Sequence, residues 1–383
     1  MDFSLSDEQR LIQDGLRRLL QKSYSFEQRD AYRRAPGGWS AEMWRHYSDM
    51  GLLALPFAEK HGGLSGSPVE TMILMEEFGR ALTLEPYVAT IVLAGGVLRH
   101  AGSDEQIERL AERIMPGAFT LALAHDESDA EGNFRQVETI ARQSEGAWRI
   151  DGVKSFAIHA GSADALIVSG RVEGAPSDEA GIGLFLVDAR QDGVTINEFP
   201  LHDAHRAATV TLAGVKVDPT NVLGRPGDGY RALARVHDEA IAATCAEAVG
   251  VMSELHEMTI EFLKQRRQFG VHIGRFQALQ HRAAEMFIAL EQARSMALFA
   301  TMMCAEEDPL ARANAMSAAK VQIGRSGRWI GEQAVQLHGG IAIASEFRAG
   351  HYFKKLTVLD KFMGDADHHL DLLGVGDGLF VND

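Results

Sequence analysis

No strand alternates with a helix anywhere in these 383 residues: helical periodicity fills both ends of the chain and short strands fill its middle. That order argues against a doubly wound parallel sheet, which is built from repeated βαβ units. The glycine-rich Gly-x-Gly-x-x-Gly fingerprint of dinucleotide-binding turns is also absent.

The helical ends carry their own signals. Ser6 followed by Gln9 is a capping-box signature, and Leu11, Ile12, Leu16, Leu19 and Leu20 then recur at helical spacing. A second helix is expected over 67–81, with Met72, Leu74, Met75 and Phe78 apolar and Glu76 and Glu77 exposed. Leu53 to Pro56 and His61-Gly62-Gly63-Leu64 read as loop. Short strands are expected at Thr120–His125, Trp148–Ile158, Leu166–Val168, Gly183–Val187, Val194–Phe199 and Val210–Val217. Asp151-Gly152 reads as a hairpin turn. From Gly227-Asp228-Gly229 the helical pattern returns, running through about His256, then over Phe276–Cys304 and Ala311–His338. The expected fold is α+β and multidomain: a helical N-terminal domain over 1–118, a β barrel over 119–224 and a helical bundle over 225–383.

Charge narrows the partners. There are 38 Lys and Arg against 53 Asp and Glu, a net charge of −15. Nucleic acid and anionic membrane both require clustered cations, so neither is expected. The longest uncharged apolar run, Pro86 to Leu98, falls short of the ~20 residues that span a bilayer. No basic and apolar leader is visible at the N-terminus. Cys245 and Cys304 are the two cysteines, too few for a disulfide framework or a zinc site. A cytoplasmic location is expected.

Five motifs, in order along nearly the whole chain, resemble the acyl-CoA dehydrogenases. They are Phe3-Ser4-Leu5-Ser6-Asp7-Glu8-Gln9; Leu55-Pro56 with Gly62-Gly63-Leu64; Val215 to Pro219 through Asn221-Val222-Leu223-Gly224; Arg266-Arg267-Gln268-Phe269-Gly270 with Gln277; and Gln336-Leu337-His338-Gly339-Gly340. The resemblance implies that family's fold, whose C-terminal domain is a four-helix bundle, and it implies bound FAD. The residues suit such a cofactor: a pyrophosphate takes a guanidinium and backbone N–H donors, and glycines admit close backbone approach. Arg266, Phe269, Gln277, Gln336, Gly339 and Gly340 are the matching positions, and the resemblance places them at the flavin of a neighbouring subunit. Asp126, Phe156, Ile158 and Asp365 match further flavin contacts. Several of these depart from the family pattern: His125-Asp126-Glu127-Ser128 lacks the usual Gly-Ser turn, Ile158 replaces a hydrogen-bonding Thr, Ala342 replaces a third glycine, and Phe353-Lys354-Lys355 replaces Tyr-Arg-Asp.

The family reaction removes a proton from the α carbon and a hydride from the β carbon of an acyl-CoA thioester. A Glu takes the proton, and its own backbone N–H is one of two donors to the thioester oxygen. Here Met363 stands at that position, in Lys361-Phe362-Met363-Gly364-Asp365, and Ala240 stands at the alternative position used by other members. Neither side chain accepts a proton. Asp365, Glu239 and Glu247 are the remaining candidate bases. Their ordinary roles are a helix N-cap for Asp365 and solvated helix positions for the two glutamates. His368 and His369 beside Asp365 and Asp367 invite a metal, but adjacent helical side chains diverge, and no metal is expected.

Three functions fit. The chain is a base-less subunit assembled with a paralogous partner, as in bacterial heteromeric acyl-CoA dehydrogenases of steroid and dicarboxylate catabolism; or an active homo-oligomer with a displaced base; or a non-enzymatic CoA-ester-binding or scaffold chain. Under the enzymatic readings, the expected partners are acyl-CoA and an electron-transferring flavoprotein.

Overall fold

The computed structural model describes residues 5–128 and 134–375. Phe3 and Ser4 of the first motif lie outside them. Chain contacts group the molecule into two units.

The first unit comprises residues 1–30, 68–83 and 241–383. Helix α1 (Asp7–Ser23) opens with the expected capping box: the Ser6 side chain accepts from the Gln9 N–H, and the Gln9 side chain accepts from the Ser6 N–H. After α2 (Phe26–Arg33), the chain returns to this unit as α4 (Pro68–Ala81). Glu77 of α4 is not solvated as expected. It is 2% exposed and accepts from Arg17 of α1, whose guanidinium neutralises it. Helix α7 (Tyr230–Gln265) contributes its part beyond residue 240, and α8 (Gln277–Met303), α9 (Pro309–His338), α10 (Arg348–Lys361) and α11 (Ala366–Val375) complete the bundle. Two glycines let α4 and α7 touch backbone to backbone. A Cβ on Gly79 would lie 2.0 Å from the Glu247 carbonyl oxygen, and one on Gly250 would lie 1.9 Å from that of Glu76. The core between the helices is aliphatic, with Val251, Met252, Leu255, Met286, Leu290, Ile330 and Leu356 among its buried members.

The second unit comprises residues 31–67 and 84–240. It holds α3 (Ala41–Asp49), a π-helical stretch over Val88–Ala94 that runs into α5 (Gly95–Ala101), and α6 (Asp104–Ile114), capped by Ser103 and Gln106. The strands are β1 (Leu121–Ala124), β2 (Ile140–Ser144), β3 (Ala147–Ile158), β4 (Ala165–Arg171), β5 (Ile182–Asp188), β6 (Val194–Pro200), β7 (Arg206–Val217) and β8 (Val222–Leu223). They form one sheet in the order β6-β7-β3-β2-β4-β5-β8, with β1 parallel to β4. A single residue pair, Ile140 with Arg171, joins β2 to β4, and the two halves share one apolar core in which Trp148 meets Phe185 at 5.3 Å between ring centroids.

The expected turn at Asp151-Gly152 is a strand interior. β2 and β3 are joined instead by Glu145-Gly146, both with positive φ (53° and 79°), the geometry of a two-residue hairpin. Gly152 marks a register shift in β3 against β7, and Asp151 accepts from the Gly214 N–H at 2.7 Å. The Asp-Gly pair therefore serves a bulge.

Candidate functional site

The ends of three helices in the first unit converge on one another. Phe262, near the end of α7, stacks on His338 at the end of α9 at 4.5 Å, and His338 meets Phe347 at 5.2 Å. The start of α8 joins them through Arg282, which donates to Gln333 of α9 at 2.8 Å. Arg266 to Gly270 and Gln277 therefore share an end of the bundle with Gln336, Gly339 and Gly340. Two short strands, β9 (Arg267–Gln268) and β10 (Val271–His272), pair around Phe269-Gly270, whose positive φ values (52° and 79°) make another two-residue turn. Phe269 at its tip is 89% exposed.

These residues present polar groups and open backbone to solvent. Arg266, Gln277, Gln336, Gly339 and Gly340 are all exposed. A Cβ on either glycine would meet no heavy atom within 4 Å, so the backbone there is open to close approach. Arg266 forms no ion pair among the described residues. An unpaired guanidinium, open glycine backbone and exposed amides fit the pyrophosphate and adenosine half of FAD.

In the second unit, Asp126 bridges to Phe156 of β3, and its carbonyl accepts from the Ser155 N–H at 2.8 Å. Phe156 and Ile158 are half-buried on β3, and Asp126 is exposed. Desolvation by surrounding protein still holds the Asp126 carboxyl above its usual range, with the charge of Lys154 pulling the other way. Beneath it lies a closed polar network. Lys154, fully buried, donates to Glu127 at 2.6 Å, to Ser169 at 2.9 Å and to the His125 carbonyl at 3.2 Å. The His125 ring sits between Ser169 and the Phe134 carbonyl, both at 2.9 Å. Burial, reinforced by the Lys154 charge, lowers its pKa to about 3, so it stays neutral.

The loop after α10 carries Met363, the residue expected at the base position. Met363 has φ of 61° and Gly364 of 90°. The loop is fixed from below by two residues that sequence reading missed. Lys320 of α9, 2% exposed, donates to the carbonyls of Leu359 (2.8 Å), Asp360 (3.1 Å) and Phe362 (2.8 Å). His369 of α11 donates from Nε2 to the Met363 carbonyl at 2.8 Å, with its Nδ1 3.1 Å from the Ser317 hydroxyl. The signal for Lys320 was present: a lysine on the helix stripe that also carries Met316 and Ile323. His369 was visible in sequence only as half of an apparent metal pair, and among the described residues no cluster of three metal-ligating side chains occurs.

Each candidate base is already engaged. Asp365 caps α11, accepting from the His368 N–H at 2.9 Å, and pairs with Lys361. The Lys361 hydrogen bond and that cap lower its pKa to about 2. Glu239 meets His100 at 2.8 Å, Arg99 at 3.2 Å and Arg235 at 3.4 Å. Desolvation raises its pKa, but the His100 hydrogen bond and the three charges outweigh it, and the net shift is downward. Glu247 is buried against Lys355 at 2.6 Å. Neither glutamate is the solvated helix position that the sequence suggested, since both are largely or fully buried in ion pairs. Ala240 is fully buried. Cys245 is likewise sealed, its thiol pushed up to about 12 by burial. A separate cleft of about 650 Å³ in the first unit, lined by Arg17, Glu77, Arg80, Glu254, Glu257 and Arg348, holds no candidate residue. Its cations are paired with its acids.

The chain matches the acyl-CoA dehydrogenase N-terminal domain over residues 6–118, the middle domain over 122–215 and the C-terminal domain over 227–375. It is 27% identical to the probable acyl-CoA dehydrogenase YngJ of Bacillus subtilis, over 96% of this chain and 97% of that one. It is 25% identical to CarC, a subunit of the caffeyl-CoA reductase–Etf complex of Acetobacterium woodii, over 94% and 96%. Among solved structures, a point variant of the Tcur3481–Tcur3483 steroid ACAD superposes with a TM-score of 0.86 at 27% identity, covering 97% of this chain and 98% of that one. Butyryl-CoA dehydrogenase from Megasphaera elsdenii shares the fold, with a TM-score of 0.90 at 22% identity, over 98% and 99%.

Proposed function

The chain belongs to the acyl-CoA dehydrogenase family, FAD-dependent enzymes of acyl-CoA oxidation or reduction, and on that premise we propose that it is a subunit lacking its own catalytic base, completed by a paralogous chain. One observation carries the reading. Met363 and Ala240 occupy both base positions, and Asp365, Glu239 and Glu247 are each held by structural cations or a helix cap.

Arg266, Phe269, Gln277, Gln336, Gly339 and Gly340 hold FAD in this reading, and their exposure on the isolated chain suits a site completed across a subunit boundary. Asp126, Phe156, Ile158 and Asp365 are the chain's other proposed contacts to it. Bound FAD supplies the acceptor for the hydride that leaves the β carbon. The Met363 N–H, which needs no side chain, polarises the thioester oxygen, so acyl-CoA binding survives the loss of the carboxylate. Proton removal does not survive it, since a thioether cannot accept the α proton. The steroid enzyme that is 27% identical is named from two components, which supports assembly from two chains. The relative named for an Etf complex supports an electron-transferring flavoprotein as redox partner. Lipid or steroid acyl-CoA is the proposed substrate class.

The test is to purify the chain alone and together with a paralogous acyl-CoA dehydrogenase chain from the same source. Flavin absorbance and acyl-CoA dehydrogenation are read in both. We expect substantial activity in the mixed assembly only. Turnover at an ordinary ~10 s⁻¹ by the chain alone would overturn the proposal.

A further inference from the structure

The amide linking Phe362 to Met363 has its two ends in opposite situations. Its carbonyl accepts from Lys320 at 2.8 Å. Its N–H, the Met363 donor, makes no hydrogen bond among the described residues. In a trans peptide these two groups point in opposite directions, so the N–H faces away from Lys320.

Burial lowers the pKa of Lys320, but the geometry favours the charged form. Its Nζ is surrounded by three carbonyl oxygens, and only the ammonium has three N–H groups to meet them. The Leu359 and Asp360 carbonyls belong to the last turn of α10, where the helix dipole favours a cation. The next carbonyl, that of Met363, is held by His369, and Ser317 orients that ring. Both peptide planes flanking Met363 are therefore pinned, and the one that ends in the free N–H has a buried positive charge on its oxygen. A cation at an amide oxygen draws electron density from the nitrogen and makes the N–H a stronger donor, an effect that grows where the local dielectric is low.

We propose that Lys320 is a positioning residue for thioester activation: through the Phe362 carbonyl it fixes and polarises the Met363 N–H that receives the thioester oxygen, while His369 and Ser317 hold the plane that follows. The proposal rests on the reading that the Met363 N–H faces the thioester. It makes the donor independent of the residue at 363, so the contact persists in a chain without a carboxylate there.

The experiment uses the full chain, with its flavin and any co-expressed partner, and crotonyl-CoA carrying ¹³C at the thioester carbonyl. Isotope-edited infrared difference spectra report the carbonyl stretch. In the unmodified protein the band moves to lower frequency on binding. Lys320→Gln, which keeps a neutral donor and removes the charge, is expected to lose most of that shift and to bind several-fold more weakly. Lys320→Arg, which keeps a cation, is expected to retain it. A wild-type shift in Lys320→Gln, or an Arg variant no better than the Gln variant, overturns the role of Lys320 and leaves the thioester contact standing. An unshifted band in the unmodified protein, or no binding, overturns the thioester reading itself. Should Lys320→Gln not fold, folded Lys320→Arg decides: a band relaxed to the position of free ligand overturns the proposal.

Discussion

Glu247 and Lys355 lie 2.6 Å apart with both side chains 5% exposed, an ion pair between α7 and α10 in the core of the helical unit. Lys355 stands where the resemblance leads one to expect Asp, so the pairing accompanies that departure from the family pattern. Losing one partner strands the other charge in an apolar site. Glu247→Gln or Lys355→Met is expected to destabilise the protein by ~3–5 kcal/mol, and the double variant Glu247→Leu/Lys355→Met by much less. Urea denaturation of the three proteins checks this. A double-variant loss equal to the sum of the two single losses would show that the pair is not coupled.

A second prediction concerns acid. Burial, the largest cause, and the nearby Lys320 and His368 charges lower the pKa of His369 to about 4, against an unfolded value near 6.5. The folded state therefore binds fewer protons than the unfolded state between those values. Stability is full above pH ~6.5 and falls as pH drops towards 4, by about 2 kcal/mol at pH 5 from this residue. His369→Gln, which can still donate to the Met363 carbonyl, is expected to remove that share of the difference in unfolding free energy between pH 7 and pH 5. An unchanged difference would refute it.

How much of this was legible in the residues depends on whether a feature is set locally. The capping box of α1, the second helix at 67–81 and the six expected strand positions needed only neighbours in sequence, and they stand as read, whereas β2 and the order of strands in the sheet were not anticipated. Glu77 did not, because its burial depends on Arg17 sixty residues away. Asp151-Gly152 has the composition of a turn but lies in a strand whose partner, β7, comes some sixty residues later. Lys320 carried a faint signal, a cation on an apolar stripe, but only the fold shows that three carbonyls at the end of α10 surround it. The missing carboxylates at 363 and 240 were plain in the sequence. That Glu239, Glu247 and Asp365 are all occupied elsewhere depends on partners that only the fold brings to them.

The flavin contacts give a third prediction. Arg266 is exposed and without an ionic partner, so its removal leaves no stranded charge. Arg266→Gln is expected to leave the melting temperature of the flavin-free protein unchanged. Flavin affinity should fall roughly tenfold or more, the loss of one charge-assisted hydrogen bond of ~1.5–3 kcal/mol. Flavin release followed by fluorescence measures it. Undiminished affinity would place the cofactor elsewhere.

Asp365 is the candidate base nearest Met363 in sequence, and its environment assigns it a cap. Asp365→Ala is expected to cost about 1 kcal/mol through the lost N-cap of α11. Because its folded pKa is depressed to about 2, the ionised cap contributes above the unfolded value of ~3.9 and is lost as pH falls towards 2. Asp365→Asn keeps the cap and removes the carboxylate. A proton-accepting Asp365 requires Asn to abolish whatever activity the chain has alone, whereas a capping Asp365 requires Asn to resemble the unmodified protein.

The sharpest prediction concerns the base itself, because the structure separates two substitutions that the sequence left equivalent. Met363 is half-buried at a loop, its backbone pinned on both sides by Lys320 and His369, so a new side chain there inherits a fixed origin. Ala240 is fully buried on α7, and a carboxylate introduced there must be desolvated in packed surroundings. Met363→Glu is therefore expected to fold and to raise acyl-CoA dehydrogenation by the flavin-loaded chain ~10²–10⁴-fold, the usual worth of a general base. Ala240→Glu is expected to destabilise the protein and to gain little. Stopped-flow absorbance of the bound flavin after mixing with an acyl-CoA reads both rates, and thermal melts read both stabilities. A stable, active Ala240→Glu would show that the pocket already accommodates a base at that site. A folded, flavin-loaded Met363→Glu with no gain in rate would show that the loop does not face the α carbon, and the subunit assignment would lose its central support.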